Sequence, residues 1–243
     1  MLKKVIEIND LCYSYPDEKI ALENINLDIF EGESVGIVGA NGAGKTTLIL
    51  HINGIIRSNN GNIKVIDMEM TDKNIRKIRS KVGLVFQNPE DQLFSPTVFE
   101  DVSFGPLNMK LSPDEVIKRT TDALEMVEMS GFENRSSHHL SEGEKKRISI
   151  ATVLSMNPEI LVLDEPTSNL DPKHRRELIH LLKKFNKTII IVSHDLEAML
   201  ELCDRTVLMN KGEIVKDGKT RELMSDRKLM EDNYLECPLS LKN

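Results

Sequence analysis

A glycine-rich segment near the N-terminus has the composition and spacing of a phosphate-binding loop. It consists of Gly39, Ala40, Asn41, Gly42, Ala43, Gly44, Lys45, Thr46 and Thr47. An apolar run, residues 34–38, precedes it and a helix-forming run, residues 47–50, follows it. Glycines let backbone N–H groups converge on an anion, and a helix N-terminus adds unpaired donors. The segment therefore predicts a nucleotide phosphate site in which Lys45 reaches the β- and γ-phosphates and Thr46 ligates Mg²⁺.

Two adjacent carboxylates are candidates for metal binding and catalysis. Asp164 and Glu165 follow the run ILVL, residues 160–163, which is typical of a strand buried on both faces. Acidic side chains at the end of such a strand are poorly suited to an apolar core. We expect one to hold Mg²⁺ through oxygen and the other to polarise a water molecule.

Two further polar residues also end apolar runs. Gln87 follows residues 82–86; its amide oxygen could ligate a metal or orient water, but it could equally cap a loop. His194 follows residues 188–192, and a structural role is as compatible with this position as a functional one. A lone histidine after a strand is usually structural, and the two roles are balanced here only because α/β sheets bind ligands beyond the carboxyl ends of their strands.

Two other positions carry open alternatives. Ser141 and Gly143 stand at the start of a predicted helix and could bind an anion, although serine is also a good N-cap residue. Tyr13 and Tyr15 are predicted to lie together in a loop. One of these rings could stack on a nucleotide base, or it could simply pack on the sheet.

Hydrophobic patterning predicts the elements that position these residues. The predicted strands cover residues 5–8, 22–29, 34–38, 63–66, 82–86, 160–163 and 188–192. The patterns also predict a turn at residues 59–62, helices at 73–81 and 145–156, and a hairpin around 210–212. The segment after residue 220 is polar, helical at first and expected to fray. This order of elements predicts an α/β core.

Residues 95–140 differ in character from the rest. Pro96, Pro106 and Pro113 interrupt the segment, and Ser112 with Glu115 forms a capping-box pattern. The helix that follows is predicted to face inward with Val116, Thr120, Ala123, Leu124 and Val127. Because no strand pattern occurs here while strands resume afterwards, we expect a helical subdomain inserted into the α/β core.

Composition excludes several classes of protein. The chain has 243 residues, 40% of them hydrophobic, which suffices for a large core. Its net charge of −7 disfavours a protein that mainly holds a nucleic acid backbone. Three widely spaced cysteines suggest neither a disulfide framework nor a zinc site. Since no stretch approaches the roughly 18 apolar residues of a spanning helix, any membrane link is expected through a partner.

Six motifs in this order give the chain a resemblance to a known family. GANGAGKTT, Gln87, LSEGE, ILVLDE, SNLD and His194 together resemble the nucleotide-binding subunit of ATP-binding cassette (ABC) transporters. The segment FQNPEDQLF…TVFEDVSFGPLN is more narrowly similar to the ATPases of energy-coupling-factor importers, which take up cobalt, nickel and vitamins. The resemblance implies a P-loop NTPase (RecA-like) core with an antiparallel β subdomain and an inserted α-helical subdomain.

The resemblance covers nearly the whole chain and implies one ABC ATPase domain. The nucleotide-binding core would comprise residues 1–87 and about 145–220. The helical subdomain would span about 88–144, and residues 221–243 would form a short C-terminal extension.

The resemblance also implies roles at the site. Lys45 and Thr46 would be the Walker A residues, Asp164 the magnesium ligand and Glu165 the general base for the attacking water. Gln87 would sense Mg²⁺ and the membrane partner. The remaining implied nucleotide contacts are His194 on the γ-phosphate, Tyr15 on adenine with Tyr13 as the fallback, and Asp171 of SNLD.

In this family two subunits enclose two ATP molecules. The resemblance implies that Ser141 and Gly143 contact the γ-phosphate held by the opposite subunit, in a homodimer or a heterodimer with a paralogue. It further implies integral membrane transporter subunits as partners, no nucleic acid, and a peripheral location at the cytoplasmic face of the cell membrane. ATP hydrolysis to ADP and phosphate would drive transport by closing the dimer.

The signature motif departs from the usual LSGGQ. Glu142 and Glu144 should repel a triphosphate unless they point outward or pair with Lys145, Lys146 or Arg147. Because Ser141 and Gly143 are retained, we expect the donated half-site to work.

Three alternatives are kept. The first is an ABC transporter for another solute. The second is a soluble ABC ATPase acting on nucleic acid or ribosomes, and the third is a P-loop kinase or GTPase-like switch.

Overall fold

The computed structural model of the protein describes residues 3–57 and 60–242. Its strands form two sheets, one built from alternating and the other from continuous apolar runs. The strands are Lys4–Ser14 (β1), Ile20–Phe30 (β2), Ser34–Val38 (β3), Asn60–Val65 (β4), Met68–Glu69 (β5), Val82–Val85 (β6), Ile160–Asp164 (β7), Thr188–Val192 (β8), Arg205–Asn210 (β9) and Glu213–Lys219 (β10). The helices are Lys45–Asn53 (α1), Ile75–Lys81 (α2), Val98–Asn108 (α3), Pro113–Met126 (α4), Glu142–Leu154 (α5), Pro172–Leu182 (α6), Leu196–Leu202 (α7), Thr220–Ser225 (α8) and Arg227–Asp232 (α9).

The two sheets have different strand directions. The smaller sheet is antiparallel and has the order β2-β1-β4-β5. The larger sheet has the order β10-β9-β3-β8-β7-β6 and is parallel except for its edge strand β10. This arrangement confirms the predicted α/β core with an antiparallel β subdomain.

The parallel sheet is buried on both faces, which accounts for its uninterrupted apolar strands. In β7, Ile160 and Val162 pack in the core shared with the antiparallel sheet and α1. Leu161 and Leu163, on the opposite face, pack in the core formed with α5, α6 and α7. The order of layers is therefore antiparallel sheet, α1, parallel sheet and outer helices.

One edge of the parallel sheet collects the polar residues that follow its strands. β3 lies beside β8, β8 beside β7, and β7 beside β6, all in parallel register. Parallel neighbours end at the same edge, so the segments after these four strands are brought together.

The predicted helical insert is present as α3 and α4, and residues 88–144 form no strand. Thr97 is the N-cap of α3 and makes a reciprocal capping box with Glu100. Ser112 is the N-cap of α4, and its hydroxyl accepts the Glu115 N–H; the predicted inward-facing residues are buried. The predicted helical subdomain is thus observed, and α3 and α4 both pack against α5.

Pro106 does not interrupt the chain as its sequence suggested. It lies inside α3, where proline leaves the carbonyl of residue i−4 without its helical donor. That carbonyl, on Val102, instead accepts the Ser155 hydroxyl at 2.8 Å. A tertiary hydrogen bond therefore replaces the missing helical one.

Two strand boundaries differ from the sequence-based expectation. Tyr13 and Ser14 belong to β1 rather than to a loop, because their pairing with Leu22 and Ile20 continues past several register shifts. Residues 60–62 begin β4 rather than forming a turn, because β4 pairs with β1 as far as Asn60. Asn59, the first residue of the expected turn, lies outside the described residues.

The segment after residue 220 was expected to fray, and that expectation is wrong. Leu223, Met224 and Met230 of α8 and α9 are buried in the core shared with α5, α6 and α7. Further on, Glu197 of α7 accepts hydrogen bonds from the backbone N–H and the hydroxyl of Ser240. Apolar residues spaced along a polar segment therefore hold it against the core.

We predict that Gly83→Ala destabilises the fold. A Cβ atom on Gly83 of β6 would overlap Val153 of α5 and lie 3.0 Å from Pro158 Cγ. Overpacking of this kind should lower the free energy of unfolding by about 1–3 kcal/mol, measured by urea denaturation. The control is Gly218→Ala in β10, where a Cβ atom has no neighbour within 4 Å among the described residues. Equal stability of the two variants would contradict this packing.

Candidate nucleotide-binding site

The loop between β3 and α1 requires glycine at two positions. Gly39 has φ +153° and Gly44 has φ +100°, both in the region that favours glycine. A Cβ atom at Gly39 would overlap the Met209 carbonyl, and one at Gly44 would lie 2.5 Å from the Ala21 carbonyl. Because Gly44 has no side chain to cap α1, the first turn of that helix offers backbone N–H groups to an anion.

Lys45 lies inside this loop. Its ammonium donates to the carbonyls of Gly39 at 2.7 Å and Ala40 at 3.1 Å. Burial lowers the pKa of Lys45, and the carboxylates of Glu165 and Asp164 partly oppose this effect. The lysine is therefore held at the phosphate loop by two neutral acceptors that an anionic ligand can replace.

The chemistry of a divalent cation fits Asp164 and Thr46. The Thr46 hydroxyl donates to Asp164 Oδ2 at 3.1 Å, which joins the start of α1 to the end of β7. Asp164 Oδ1 is buried and has no hydrogen-bond partner among the described residues. Burial raises the pKa of Asp164, although the Thr46 hydroxyl lowers it. A bound cation would satisfy the unpaired oxygen and favour the ionised carboxylate.

The neighbouring Glu165 is held by the end of β8. Its Oε2 accepts hydrogen bonds from the Ser193 hydroxyl at 3.0 Å and the His194 backbone N–H at 3.2 Å. His194 Nδ1 lies 2.8 Å from the same oxygen, and 66% of the histidine side chain is exposed. The structure therefore brings Glu165 and His194 into direct contact.

A cavity of about 490 Å³ joins these residues. Its lining includes Tyr15, residues 41–47, Gln87, Glu165 and His194. Gly39 and Ala40 contact it through Lys45, and Asp164 through Thr46. The predicted phosphate, metal and catalytic residues therefore converge on one site at the edge of the parallel sheet.

The two tyrosines have different surroundings. Tyr15 lines the cavity, and its hydroxyl lies 3.0 Å from Thr47 Oγ1. Tyr13 makes edge-to-face contacts with Tyr15 and with the buried His51, at centroid distances of 5.2 and 4.7 Å. Of the two rings, Tyr15 is therefore the one that lines the cavity, and Tyr13 packs edge to face against it.

Ser141, Gly143 and Asp171 lie away from this cavity; Ser141 and Asp171 are exposed, whereas Gly143 is buried. None of these three described residues is among those that line the cavity. Gly143 approaches His174, since a Cβ atom there would lie 3.1 Å from that ring, and His174 Nδ1 is 2.5 Å from Asp171 Oδ2. The start of α5 and the start of α6 thus form a second cluster within the same chain, which we call the signature surface.

The two acids of LSEGE have local partners. Glu144 Oε2 accepts from the Ser141 backbone N–H and hydroxyl, both at 2.8 Å, while the Glu144 N–H donates to the Ser141 hydroxyl oxygen. Glu142 Oε1 lies 3.7 Å from Lys145 Nζ. Glu144 therefore completes the N-cap of α5, and Glu142 forms one of the expected pairs with a following basic residue.

Sequence reasoning missed an ion pair behind His194. Arg175 of α6 binds Asp195 through two hydrogen bonds of 2.6 and 2.7 Å, and the Thr167 hydroxyl also donates to Asp195. Burial opposes ionisation of Asp195, but the Arg175 guanidinium holds its pKa below the usual value. The only signal for this pair in the sequence was the proximity of Asp195 to His194.

The loop, the buried aspartate and the adjacent glutamate define a P-loop nucleoside triphosphatase. The family model described as ABC transporter matches residues 22–168, and the chain therefore belongs to the ABC transporter ATP-binding family. A putative ABC transporter ATP-binding protein of Geobacter sulfurreducens is 49% identical over 242 residues, covering 100% of this chain and 97% of the relative.

Other relatives carry more specific names. The energy-coupling factor transporter ATP-binding protein EcfA of Methanothermobacter thermautotrophicus is 49% identical over 240 residues, which is 96% of this chain and 77% of the relative. The structure of cbiO1 from Clostridium perfringens, part of the ABC transporter complex cbiONQ, has a TM-score of 0.84 and 38% identity, covering 95% of this chain and 94% of that one.

A further structural neighbour was solved with nucleotide. The cassette MJ0796, a dimer in a post-hydrolysis state bound to ADP and Pi, has a TM-score of 0.78 and 32% identity, covering 88% of this chain and 98% of that one. The comparisons confirm the ABC ATPase fold, the ATPase activity and the resemblance to the energy-coupling-factor group. Among helices in the described ranges, none has the length and apolarity needed to cross a bilayer.

We predict that Glu144→Ala lowers the free energy of unfolding by about 1 kcal/mol at pH 7, because it removes half of the α5 capping box. The Ser141 backbone N–H holds the pKa of Glu144 below its usual value. A lowered folded-state pKa means that this stabilisation is complete above the ordinary glutamate pKa of about 4.3 and disappears as the pH falls through the folded-state value.

Urea denaturation of the wild-type protein and the Glu144→Ala variant, from pH 7 down to pH 3, measures the difference in their free energies of unfolding. The control is Glu142→Ala, which removes only the partly exposed pair with Lys145 and should cost about 0.5 kcal/mol or less. A stability loss for Glu144→Ala that does not shrink in acid would contradict the capping role.

Proposed function

We propose that this chain is the ATP-hydrolysing subunit of an energy-coupling-factor importer for cobalt, nickel or a vitamin, driven by ATP-dependent closure of a dimer. The observation that carries the proposal is the division of the site. The cavity holds the phosphate loop, Glu165 and His194, whereas the signature surface holds the exposed Ser141 and the buried Gly143, which packs against His174. Residues on a separate surface can serve the cavity of a second subunit.

Within one chain the cavity residues have separate tasks. Thr46 and Asp164 would hold Mg²⁺, which when bound neutralises charge on the phosphate oxygens. Glu165 is oriented by Ser193 and His194, and it would accept a proton from the attacking water. The exposed His194 ring would contact the γ-phosphate, and Tyr15 would stack on adenine.

Dimer closure would complete this cavity. Ser141 and Gly143 at the N-terminus of α5 would meet the γ-phosphate of the partner's nucleotide, where the helix N-terminus favours negative charge. Phosphoryl transfer depends mainly on positioning and charge neutralisation, so hydrolysis would require the closed arrangement. The dimer reported for MJ0796 supports this proposal.

The membrane subunits would dock near α3. Phe94, Phe104 and Leu107 are 61%, 51% and 57% exposed, and the two phenylalanine rings contact each other edge to face. An exposed apolar patch of this kind suits a helix of an integral membrane protein. Because Gln87 and the patch belong to one continuous segment, movement at the cavity can reach the membrane partner.

Relatives named EcfA and the neighbour cbiO1 support the importer group. In this proposal the chain would lie peripherally at the cytoplasmic face of the membrane. The transported solute would be selected by a different subunit.

We predict that Glu165→Gln reduces steady-state ATP hydrolysis to a small residual rate and stabilises an ATP-bound dimer. The amide retains a hydrogen-bond acceptor but cannot take a proton from water, so the nucleotide would persist between the subunits. Phosphate release and size-exclusion chromatography with ATP and Mg²⁺ measure the two effects.

The matched control is the same variant with ADP, which should elute as a monomer. Hydrolysis at the wild-type rate together with no ATP-dependent dimer would contradict Glu165 as the general base.

We predict that the tagged chain, purified from membranes of its own host, carries integral membrane subunits with it. Cells that lack the chain should lose uptake of radiolabelled cobalt, nickel or one vitamin. Expression of the wild-type chain should restore uptake, whereas the Glu165→Gln variant should assemble without restoring it. Recovery with ribosomes or nucleic acid instead, or uptake of a different solute class, would overturn the importer assignment.

A further inference from the structure

The buried side chain of Lys146 connects three segments of the site. Lys146 is on α5, five residues after Ser141, and is 2% exposed. Its ammonium donates to the Gln87 carbonyl at 2.5 Å, the Glu165 carbonyl at 3.2 Å and the Ser168 hydroxyl at 3.2 Å. Gln87 follows β6, Glu165 follows β7 and Ser168 precedes α6. The Lys146 ammonium therefore joins the ends of these three elements to α5.

The number of contacts shows that the lysine is placed specifically. An ammonium group has three N–H donors, and Lys146 has three acceptors among the described residues. Burying a charge costs free energy unless the group is fully hydrogen-bonded. The three acceptors around Lys146 offset this cost. The neighbouring Lys145 is also buried, but its ammonium pairs with the exposed carboxylates of Glu90 and Glu142 rather than with backbone carbonyls.

The backbone of Glu165 depends on these contacts. Glu165 has φ +45°, a left-handed conformation that costs free energy for a residue with a side chain. Its N–H donates to the Val192 carbonyl, while its own carbonyl accepts from Lys146, the Ser168 hydroxyl and the Ser168 N–H. Lys146 therefore helps to keep the residue that carries the carboxylate in a strained position.

The two ends of this part of α5 lie in different places, one at the signature surface and the other beside the chain's own cavity. Ser141, at its N-cap, belongs to the signature surface, whereas Lys146 reaches the loop behind the chain's own cavity. The intervening helix is a single continuous segment, Glu142–Leu154. A displacement of α5 at one end is consequently transmitted as a displacement of the ammonium at the other.

We propose that Lys146 is a positioning residue that links the nucleotide bound at the signature surface to Glu165 of the chain's own cavity. This inference rests on the proposed roles of Glu165 as general base and of Ser141 in a partner's site. When the N-terminus of α5 moves towards the partner's nucleotide, Lys146 moves with the helix and fixes the position of the Glu165 backbone. Loss of Lys146 thus impairs turnover and the cooperation between the two sites, and leaves the phosphate loop intact.

The first test is the full-length Lys146→Met variant, which keeps side-chain length and removes the charge and the donors. We expect kcat to fall by about tenfold or more, since small displacements of a catalytic group have large effects. The KM for ATP and the Kd for a fluorescent ATP analogue should stay within about twofold, because Lys45 and residues 41–47 are untouched. The Hill coefficient for ATP should fall towards one.

The matched control is Lys187→Met. Lys187 is partly buried and, like Lys146, donates to a carbonyl, that of Pro158 at 2.8 Å, but it lies at the opposite end of β7. It should keep wild-type kcat and the wild-type Hill coefficient. If Lys146→Met does not fold, Ser168→Ala serves instead, because it removes the hydroxyl that bridges Lys146 and Glu165, and it should lower kcat about threefold or more with KM unchanged.

A double-mutant cycle separates positioning from a general structural effect. If Lys146 acts through Glu165, adding Lys146→Met to Glu165→Gln should lower the residual rate by less than about twofold. Losses that multiply, a KM that rises with the fall in kcat, or an unchanged kcat and Hill coefficient would overturn the inference. An active Glu165→Gln variant would instead refute the proposed function, so the two failures are distinguishable.

Discussion

The parallel register of β3, β8, β7 and β6 is the constraint on which the site depends. Backbone hydrogen bonds between these strands place the phosphate loop, His194, Asp164, Glu165 and Gln87 at one edge. The interiors of these strands are apolar and buried on both faces, so the charged groups lie at or beyond the carboxyl ends of the strands. Removal of the sheet would separate residues that are more than a hundred positions apart in sequence, such as Thr46 and Asp164.

Several buried polar contacts then hold this edge together. The Thr46 hydroxyl joins α1 to β7, the Ser193 hydroxyl joins β8 to Glu165, and Arg175 joins α6 to the loop after His194. Each contact crosses between two elements rather than stabilising one. A change at any of these segments is therefore felt at the others, which suits a site that must respond to a partner as well as to a nucleotide.

The acidic signature is compatible with this arrangement. The Glu144 carboxylate accepts hydrogen bonds at the N-cap of α5, and Glu142 is paired with Lys145. Neither carboxylate is therefore an isolated charge. In the chain without a partner, the Ser141 hydroxyl donates a hydrogen bond to the Glu144 carboxylate of the same chain. Contact of that hydroxyl with a partner's phosphate would require its rotation away from Glu144, a small rearrangement at an exposed helix end.

Local patterns in the sequence determined the phosphate loop, the buried strands and their terminal acids, and the helical insert, because spacing, glycine content and hydrophobic period act over a few residues. Tertiary structure alone decided the contacts of Lys146 and Arg175, the extension of β1 through Tyr13, and the packing of α8 and α9. Each of these depends on partners distant in sequence. A lysine or arginine in a helix is ordinarily exposed, and only the fold shows which carbonyl or carboxylate it meets.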